Sequence, residues 1–230
     1  METILITGAN RGLGLEFARQ YSEAGKRVIA TCRNPGEASA LDELSERFAG
    51  LSVERLDLQS DEDIEGLSRS LVERSVELDL IISNAGVLLG ENFGAWTRQG
   101  FTDTLDVNVS GAALLAQTLA PILSGSGKLV HLSSGLGSLE WAGEGMIDAD
   151  SYSISKAALN MVTVRLASVF RGTSRCVVSM SPGWVATNIG GSGATLAVEQ
   201  SVSKMIPAIE ALTVRDSGRF IDNQGNSIPW

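Results

Sequence analysis

Short apolar runs of strand length alternate with longer amphipathic segments along the chain. Seven such runs occur, and most are continuously apolar instead of alternating between apolar and polar positions. Continuous apolar runs are typical of strands covered on both faces, as in a parallel sheet. The runs comprise residues 3–7, 27–31, 52–57, 78–83, 128–133, 175–181 and 218–222.

Segments between these runs place apolar side chains at helical spacing. The clearest stripes are Leu13, Phe17, Ala18 and Tyr21, then Leu41, Leu44 and Phe48, and then Ile64, Leu67 and Leu71. Strands that alternate with helices predict an α/β fold with a doubly wound parallel sheet flanked by helices. Because no repeat, linker or low-complexity tract interrupts the pattern, we expect residues 1–230 to form a single domain.

Composition narrows the function classes. The 230 residues are 43% hydrophobic, enough to build a core, and carry 18 basic against 27 acidic side chains, a net charge of −9. This acidic balance repels phosphate backbones, so we expect no nucleic-acid partner, although a local basic pocket for one phosphorylated small molecule is compatible with it. One histidine and two cysteines are too few for a structural zinc site, so no metal is predicted.

The cysteines and the first residues predict a cellular location. Cys32 and Cys176 each lie within an apolar run, which is typical of reduced packing residues in a cytoplasmic protein. The first apolar run follows no basic segment and is too short for a signal peptide or a membrane span. We therefore expect a cytoplasmic protein with no membrane partner. The single histidine, His131, lies inside a predicted strand and is interpreted as a packing residue.

A glycine-rich turn joins the first predicted strand to the first helical stripe. Residues 7–14 read Thr-Gly-Ala-Asn-Arg-Gly-Leu-Gly. Glycine lets a backbone turn sharply and approach a ligand closely, and the N–H groups and dipole at a helix N-terminus attract a pyrophosphate. The turn therefore predicts a dinucleotide site. The alternative is an ordinary tight connection between a strand and a helix.

The end of the second predicted strand bears on the choice of dinucleotide. NAD-dependent enzymes usually place a carboxylate here for the ribose 2′-hydroxyl, whereas this chain has Cys32 followed by Arg33. Arg33 and Arg11 together can clamp a 2′-phosphate through charge-assisted hydrogen bonds. We therefore predict NADPH in preference to NADH. The alternative is that both arginines are solvated surface residues.

A Tyr-x-x-x-Lys pair lies in a later helical segment. Tyr152 and Lys156 are spaced to share one helix face, and a nearby ammonium is expected to lower the pKa of a phenol from its usual value of about 10. Tyr152 would then transfer a proton to or from a carbonyl oxygen. By itself the pair is common by chance, and its usual meaning is a pair on a helix surface.

Taken together, these motifs resemble those of the short-chain dehydrogenase/reductase family, whose glycine motif has this spacing. The resemblance spans essentially the whole chain and implies a single-domain Rossmann fold. It implies a catalytic set of Ser134, Tyr152, Lys156 and Asn108, with Ser133 as the fallback serine. Asn108 would help to hold a water on the proton path, or it would be a helix-interior amide that stabilises a kink. Ser83 departs from the family pattern, which has Asn at that position.

The resemblance also implies the residues that bind the dinucleotide. Asp57 would bind the adenine amino group, cap the following turn, or do both, and residues 182–187 would grip the nicotinamide carboxamide and the pyrophosphate. The implied set is Gly8, Asn10, Arg11, Gly12, Leu13, Gly14, Arg33, Asp57, Leu58, Asn84, Ala85, Gly86, Tyr152, Lys156, Pro182, Gly183, Val185 and Thr187.

The activity implied is the NADPH-dependent reduction of an aldehyde or ketone carbonyl, reversibly an alcohol oxidation. Pro-Gly-Trp-Val at residues 182–185 and Ile-Pro-Trp at residues 228–230 resemble the C-factor-like and carbonyl-reductase-like branch. C-factor-like proteins make a non-catalytic, dinucleotide-binding signalling role the main alternative. A sugar-nucleotide epimerase or dehydratase is disfavoured, because few residues follow the sixth strand to build a substrate domain.

Apolar side chains near the strand ends predict a pocket for a hydrophobic or aromatic carbonyl compound, unless they only cover the cofactor or the core. They are Val87, Leu88, Leu136, Trp141, Met146 and Trp184. Residues 139–150, within the loop-like segment 135–151, are predicted to form a flap. The short segment after Thr187 predicts an open site with broad specificity.

Two helical segments are rich in small and apolar residues, at positions 104–123 and 152–170. In the resembled family such helices pair across a two-fold axis, so we expect a homodimer or homotetramer. The alternative is that the small residues pack against the sheet.

Overall fold

A parallel sheet of seven strands forms the centre of the computed structural model, which describes residues 1–89, 92–143, 149–191 and 193–230. The strand order is β3-β2-β1-β4-β5-β6-β7, and all neighbouring strands run parallel. The strands are β1 Thr3–Thr7, β2 Arg27–Cys32, β3 Leu51–Arg55, β4 Leu78–Ser83, β5 Leu123–Leu132, β6 Cys176–Met180 and β7 Phe220–Ile221.

Helices cover both faces of the sheet, which confirms the predicted doubly wound α/β fold. One core cluster joins the sheet to α1, α2 and α7, and the other joins it to α3 and α5. The three predicted helical stripes contribute to these two clusters. The helices are α1 Gly12–Glu23, α2 Ser39–Arg47, α3 Asp61–Glu73, α4 Arg98–Leu105, α5 Ala112–Leu119, α6 Asp150–Val169 and α7 Val198–Ala211.

The strand bounds differ from the predicted ones mainly in β5 and β7. Strand β5 begins at Leu123, not at Lys128, because Leu123 pairs with Leu78 across a register shift. The polar and glycine-rich residues 124–127 resemble a turn in sequence, which hides this extension. Strand β7 is shorter than predicted, at Phe220–Ile221, because it is an edge strand that pairs with β6 alone.

The strand order reverses around β1, which lies between β2 and β4. In an open parallel sheet such a switch point leaves a crevice at the carboxyl ends of the strands. The glycine turn follows β1 and therefore lies at this crevice. Among the helices that the structure describes, none has the length and apolar character needed to cross a membrane.

Candidate active site

A cleft of about 460 Å³ opens at the carboxyl edge of the sheet, a volume typical of small-molecule sites. It runs from the ends of β1 and β2, past β4, to the ends of β5 and β6 and the start of α6. Of the predicted site residues, those lining it are Gly8, Asn10, Arg11, Gly12, Leu13, Arg33, Asp57, Leu58, Asn84, Ala85, Gly86, Ser134, Tyr152, Lys156, Pro182, Gly183, Val185 and Thr187.

The glycine turn has the geometry of an anion cradle. Gly8 and Gly12 have φ of +63° and +55°, a region that other residues rarely adopt. A Cβ on Gly14 would lie 2.4 Å from the Gly8 carbonyl oxygen, so Gly14 lies behind the turn and lets α1 approach it. Among the described residues no side chain caps the N-terminus of α1 at Arg11, and Arg11, Gly12 and Leu13 line the cleft. These residues fit a dinucleotide pyrophosphate.

Asn84 ties the end of β4 to the glycine turn. Its side-chain amide donates to the carbonyl oxygens of Thr7 at 2.7 Å and Gly8 at 3.1 Å, and its backbone N–H donates to the Thr7 hydroxyl at 3.0 Å. Thr7 also accepts from the backbone N–H of Ala85 at 2.9 Å. Asn84 therefore holds the cradle in shape. Thr7 was not predicted from sequence as the hydroxyl that receives these bonds.

The far end of the cleft carries the two predicted arginines. Arg11 and Arg33 are exposed, line the cleft, and form no ion pair within the described part of the chain. Cys32, beside Arg33, is buried, and burial raises the pKa of its thiol. Because neither guanidinium group is paired with a carboxylate among the described residues, both are available to a phosphate.

Asp57 lines the same end and also caps a turn. Its Oδ1 atom accepts from the backbone N–H of Gln59 at 3.1 Å, and its main-chain carbonyl accepts from Ser60. The capping role considered from sequence is therefore present in the structure. The adenine contact that the resemblance implies stays a prediction.

Helix α6 brings Tyr152 and Lys156 to the opposite end of the cleft, next to Ser134 after β5. Ser134 and Tyr152 line the same end of the cleft, and the Ser134 hydroxyl is close enough to the Tyr152 phenol to lower its pKa in part. The Lys156 ammonium lies 5.4 Å from the centroid of the Tyr152 ring and donates to the Leu132 carbonyl at 2.8 Å. All three polar groups therefore share one small region of the cleft.

Burial shifts the pKa values of Tyr152 and Lys156 from their usual values. It raises the pKa of Tyr152 to about 12, although the contact with Ser134 lowers this pKa in part. Burial also lowers the pKa of Lys156 to about 8. The sequence-based expectation that Lys156 lowers the pKa of Tyr152 is therefore wrong for the protein alone. The loss of hydration around the phenolate outweighs the attraction to an ammonium that lies over the ring and is bonded to Leu132.

The two adjacent serines have different surroundings. The Ser133 hydroxyl donates to the side-chain oxygen of Asn160 at 2.7 Å, and both residues are buried. The Ser134 hydroxyl, which contributes to the pKa of Tyr152, accepts from the backbone N–H of Leu136 at 3.2 Å. The geometry thus favours Ser134, since Ser133 uses its hydroxyl to attach β5 to α6. Asn160 is a supporting residue that the sequence analysis missed.

Asn108 does not line the cleft but lies behind it. It is part of a π-helical turn, Asp106–Gly111, between α4 and α5. Its amide accepts from the Val87 N–H at 2.8 Å and donates to the Val87 carbonyl and to the Ser155 hydroxyl, each at 2.9 Å. Asn108 therefore holds the segment after β4 against α6, which agrees with the helix-interior alternative. The water-binding role stays a prediction.

The segment after β6 closes the cleft from the other side. Gly183 has φ of +83°, and a Cβ there would lie 2.8 Å from Leu196 Cδ1. The Pro182 carbonyl accepts from Ser201 at 2.7 Å and Asn223 at 3.0 Å. Further lining residues in this glycine-rich segment, which the sequence analysis did not select, are Ala186, Asn188, Ile189 and Gly190.

Apolar side chains surround the end of the cleft near Ser134. Val87, Leu88, Leu136 and Trp184 line it as predicted. Trp141 is not among the lining residues: its ring atom Cζ3 lies 3.4 Å from where a Gly135 Cβ would be, so it packs behind the loop. Met146 lies outside the described residues, as does part of the predicted flap, residues 144–148.

His131 is fully buried between the sheet and α6. Its Nδ1 atom is 2.8 Å from the Thr163 hydroxyl, which in turn is 2.7 Å from the Ser179 hydroxyl. Burial, followed by the nearby Lys156, lowers the pKa of His131 to about 3. The imidazole is therefore neutral at physiological pH and packs in the interior, as interpreted from sequence.

Comparisons with known proteins agree with this geometry. Residues 2–195 match the family described as short chain dehydrogenase. The 1-hydroxy-2-glutathionyl-2-methyl-3-butene dehydrogenase of Rhodococcus sp. (strain AD45) is 31% identical over 100% of both chains, and the C-signal of Myxococcus xanthus is 35% identical over 66% of this chain and 93% of that protein.

Among solved structures, the NADPH-bound carbonyl reductase from chicken fatty liver aligns with a TM-score of 0.95 at 29% identity, over 100% of this chain and 99% of the other. The family match covers most of the chain, and the structural likeness extends over the sheet, the cradle and α6. The chain therefore belongs to the short-chain dehydrogenase/reductase family, on its carbonyl-reductase-like branch.

Proposed function

We propose that this protein is an NADPH-dependent carbonyl reductase that acts on aldehydes or ketones and, in reverse, oxidises the corresponding alcohols. One observation carries the proposal. The Ser134 hydroxyl, the Tyr152 phenol and the Lys156 ammonium lie together at one end of the cleft whose other part is the glycine cradle. A single domain, residues 1–230, would then hold both the dinucleotide and the substrate.

The residues present fit NADPH. The cradle formed by Gly8, Gly12 and the N-terminus of α1 would bind the pyrophosphate, and Arg11 and Arg33 would bind the 2′-phosphate. Residues 182–187 would hold the nicotinamide end. NADPH supplies the hydride that reduces the carbonyl carbon. The chicken carbonyl reductase that resembles this chain is NADPH-bound, which supports the same cofactor here.

The protein itself would hold the substrate carbonyl oxygen in place and supply the proton that this oxygen receives. Ser134 would donate to the substrate carbonyl oxygen, and Tyr152 would deliver the proton to that oxygen as charge develops on it. The raised pKa of Tyr152 supports this assignment, because the phenol then stays protonated and ready to donate at neutral pH. Lys156 would stabilise the phenolate left behind and bind the ribose hydroxyls, and Asn108 would complete the path to solvent.

Three further assignments belong to the proposal. The apolar lining by Val87, Leu88, Leu136 and Trp184 favours hydrophobic or aromatic carbonyl compounds. We infer a homodimer or homotetramer from the small and apolar residues of the helices around α5 and α6. The cytoplasmic location stays a prediction from the sequence.

Purified protein mixed with NADPH and a panel of aromatic and aliphatic aldehydes and ketones tests the proposal directly. We expect NADPH absorbance to fall with at least some panel members and the alcohol to appear in equal amount. The competing function is a non-catalytic dinucleotide-binding role, which the likeness to the C-signal of Myxococcus xanthus favours. Tight NADPH binding without turnover of any panel member would support that function instead.

The pH dependence should differ between the two directions. Alcohol oxidation needs the Tyr152 phenolate, whose fraction rises about tenfold per pH unit while the phenol is mostly protonated. Because burial raises the pKa of Tyr152 to about 12, kcat/KM for alcohol oxidation should rise with pH on its acid side. Reduction uses the protonated phenol and should not rise. Steady-state rates in both directions between about pH 6 and 9 measure this; oxidation that is independent of pH would contradict the assignment.

A further inference from the structure

The Ile-Pro-Trp segment at residues 228–230 folds back onto the loop that follows Ser134. The main-chain oxygen of Trp230 accepts hydrogen bonds from the backbone N–H of Glu140 at 3.0 Å and from the Ser138 hydroxyl at 3.4 Å. The Trp230 ring stacks on Phe220, with centroids 5.6 Å apart and planes inclined by 24°. A distant part of the sequence therefore contacts the loop that follows Ser134.

The segment that carries Trp230 has a firm attachment to the sheet. Ile228 is buried, and its backbone N–H donates to the Phe220 carbonyl at 2.9 Å. Phe220 belongs to β7, which pairs with β6. The position of Trp230 is thus determined by the sheet, so Trp230 can hold a loop in place instead of moving with it.

On the loop side, the contacts continue toward Ser134. Ser138 is 1% exposed, and its hydroxyl also accepts from the backbone N–H of Trp141 at 3.3 Å. The Trp141 ring lies against Gly135, the residue directly after Ser134. A short series of contacts therefore runs from Trp230 through Ser138 and Trp141 to the backbone beside Ser134.

We propose that Trp230 is a positioning residue that holds residues 138–141 in place and thereby shapes the carbonyl-binding end of the cleft. The contacts described above lie on the side of the sheet with β5 and β7, whereas Arg33 follows β2 on the other side of β1. Trp230 should therefore affect the binding of the carbonyl substrate and leave dinucleotide binding unchanged. The kinetic part of this inference rests on the proposed function; the contact between Trp230 and the loop does not.

Two variants of the full chain separate the contact from general stability. Deleting Trp230 removes both its main-chain oxygen and its ring, whereas Trp230→Phe keeps the oxygen and a ring that can stack on Phe220. Hydrogen–deuterium exchange reports on the Glu140 amide, which donates to Trp230, without any need for activity. NADPH binding, Tm and steady-state carbonyl reduction complete the measurements.

In the deletion variant we expect the Glu140 amide to exchange about fivefold faster, the factor that corresponds to losing one hydrogen bond. KM for the carbonyl substrate should rise by a similar factor while kcat and the Kd for NADPH stay within about twofold. Trp230→Phe should behave like the wild type. Unchanged exchange and unchanged carbonyl KM in the deletion variant would overturn the inference. Absence of carbonyl reduction in the wild type would overturn the proposed function. In that case the hydrogen–deuterium exchange of the Glu140 amide would by itself decide whether Trp230 holds the loop.

Discussion

Replacing Tyr152 with phenylalanine is expected to lower kcat/KM for carbonyl reduction about a thousandfold, within the range typical of a lost general acid. The phenol is buried at the end of the cleft beside Ser134 and Lys156, and the substitution deletes its only acidic proton while keeping the ring. NADPH consumption with a carbonyl substrate measures the loss. The Kd for NADPH should change far less than kcat/KM, because Tyr152 is only one of the residues implied to bind the dinucleotide, and the cradle and the arginines are untouched.

The second tyrosine of the chain offers a matched control. Tyr21 is also buried, and its phenol has no hydrogen-bond partner among the described residues. Tyr21→Phe therefore makes the same chemical change in the core between α1 and the sheet, away from the cleft, and should leave activity unchanged. If Tyr152→Phe kept carbonyl reduction within tenfold of the wild type, Tyr152 would not be the proton donor.

Replacing Arg33 with aspartate is expected to reverse or abolish the preference for NADPH over NADH. The substitution removes a charge-assisted hydrogen bond to the 2′-phosphate and adds a carboxylate that repels it but can bind a ribose 2′-hydroxyl. We expect the ratio of the two affinities to shift about a hundredfold, since a hydrogen bond to a charged group contributes roughly 1.5–3 kcal/mol. Fluorescence titration with each dinucleotide measures it.

Arg171→Asp serves as the control for the change of charge. Arg171 is exposed near the end of α6 and does not line the cleft, so the same substitution there leaves the site intact. The two variants have equal net charge, and only Arg33→Asp should change the preference. An undiminished preference for NADPH in Arg33→Asp would show that Arg33 is a solvated surface residue.

Much of the fold could be predicted from local patterns. Continuous apolar runs predict the strands because strands covered on both faces have no polar side. The stripe with Phe17 and Tyr21 predicts α1 because only one face of that helix packs against the sheet. The prediction failed at the start of β5, where Leu123 rejoins the sheet through a register shift opposite Leu78. A long-range pairing of this kind leaves no local signal.

The site residues also fall into those that local motifs predict and those that only the structure places. The glycine spacing and the Tyr-x-x-x-Lys pair are local features, so Gly8, Gly12, Tyr152 and Lys156 could be selected in advance. Trp141 was assigned to the pocket because it lies near a strand end in the sequence, yet its ring packs against Gly135 and does not line the cleft. Proximity in sequence does not decide which face of a loop a side chain occupies.

The sequence by itself determined the α/β class, the position of the glycine turn and the identity of the reactive side chains, because each depends on residues within a few positions of one another. Only the tertiary structure showed that the Ser133 hydroxyl is bonded to Asn160, and that burial raises the pKa of Tyr152 where the nearby ammonium was expected to lower it. Both outcomes depend on how tightly α6 packs against β5. This packing excludes water from the side chains between the two elements, and the extent of that desolvation cannot be predicted from any local segment of the sequence.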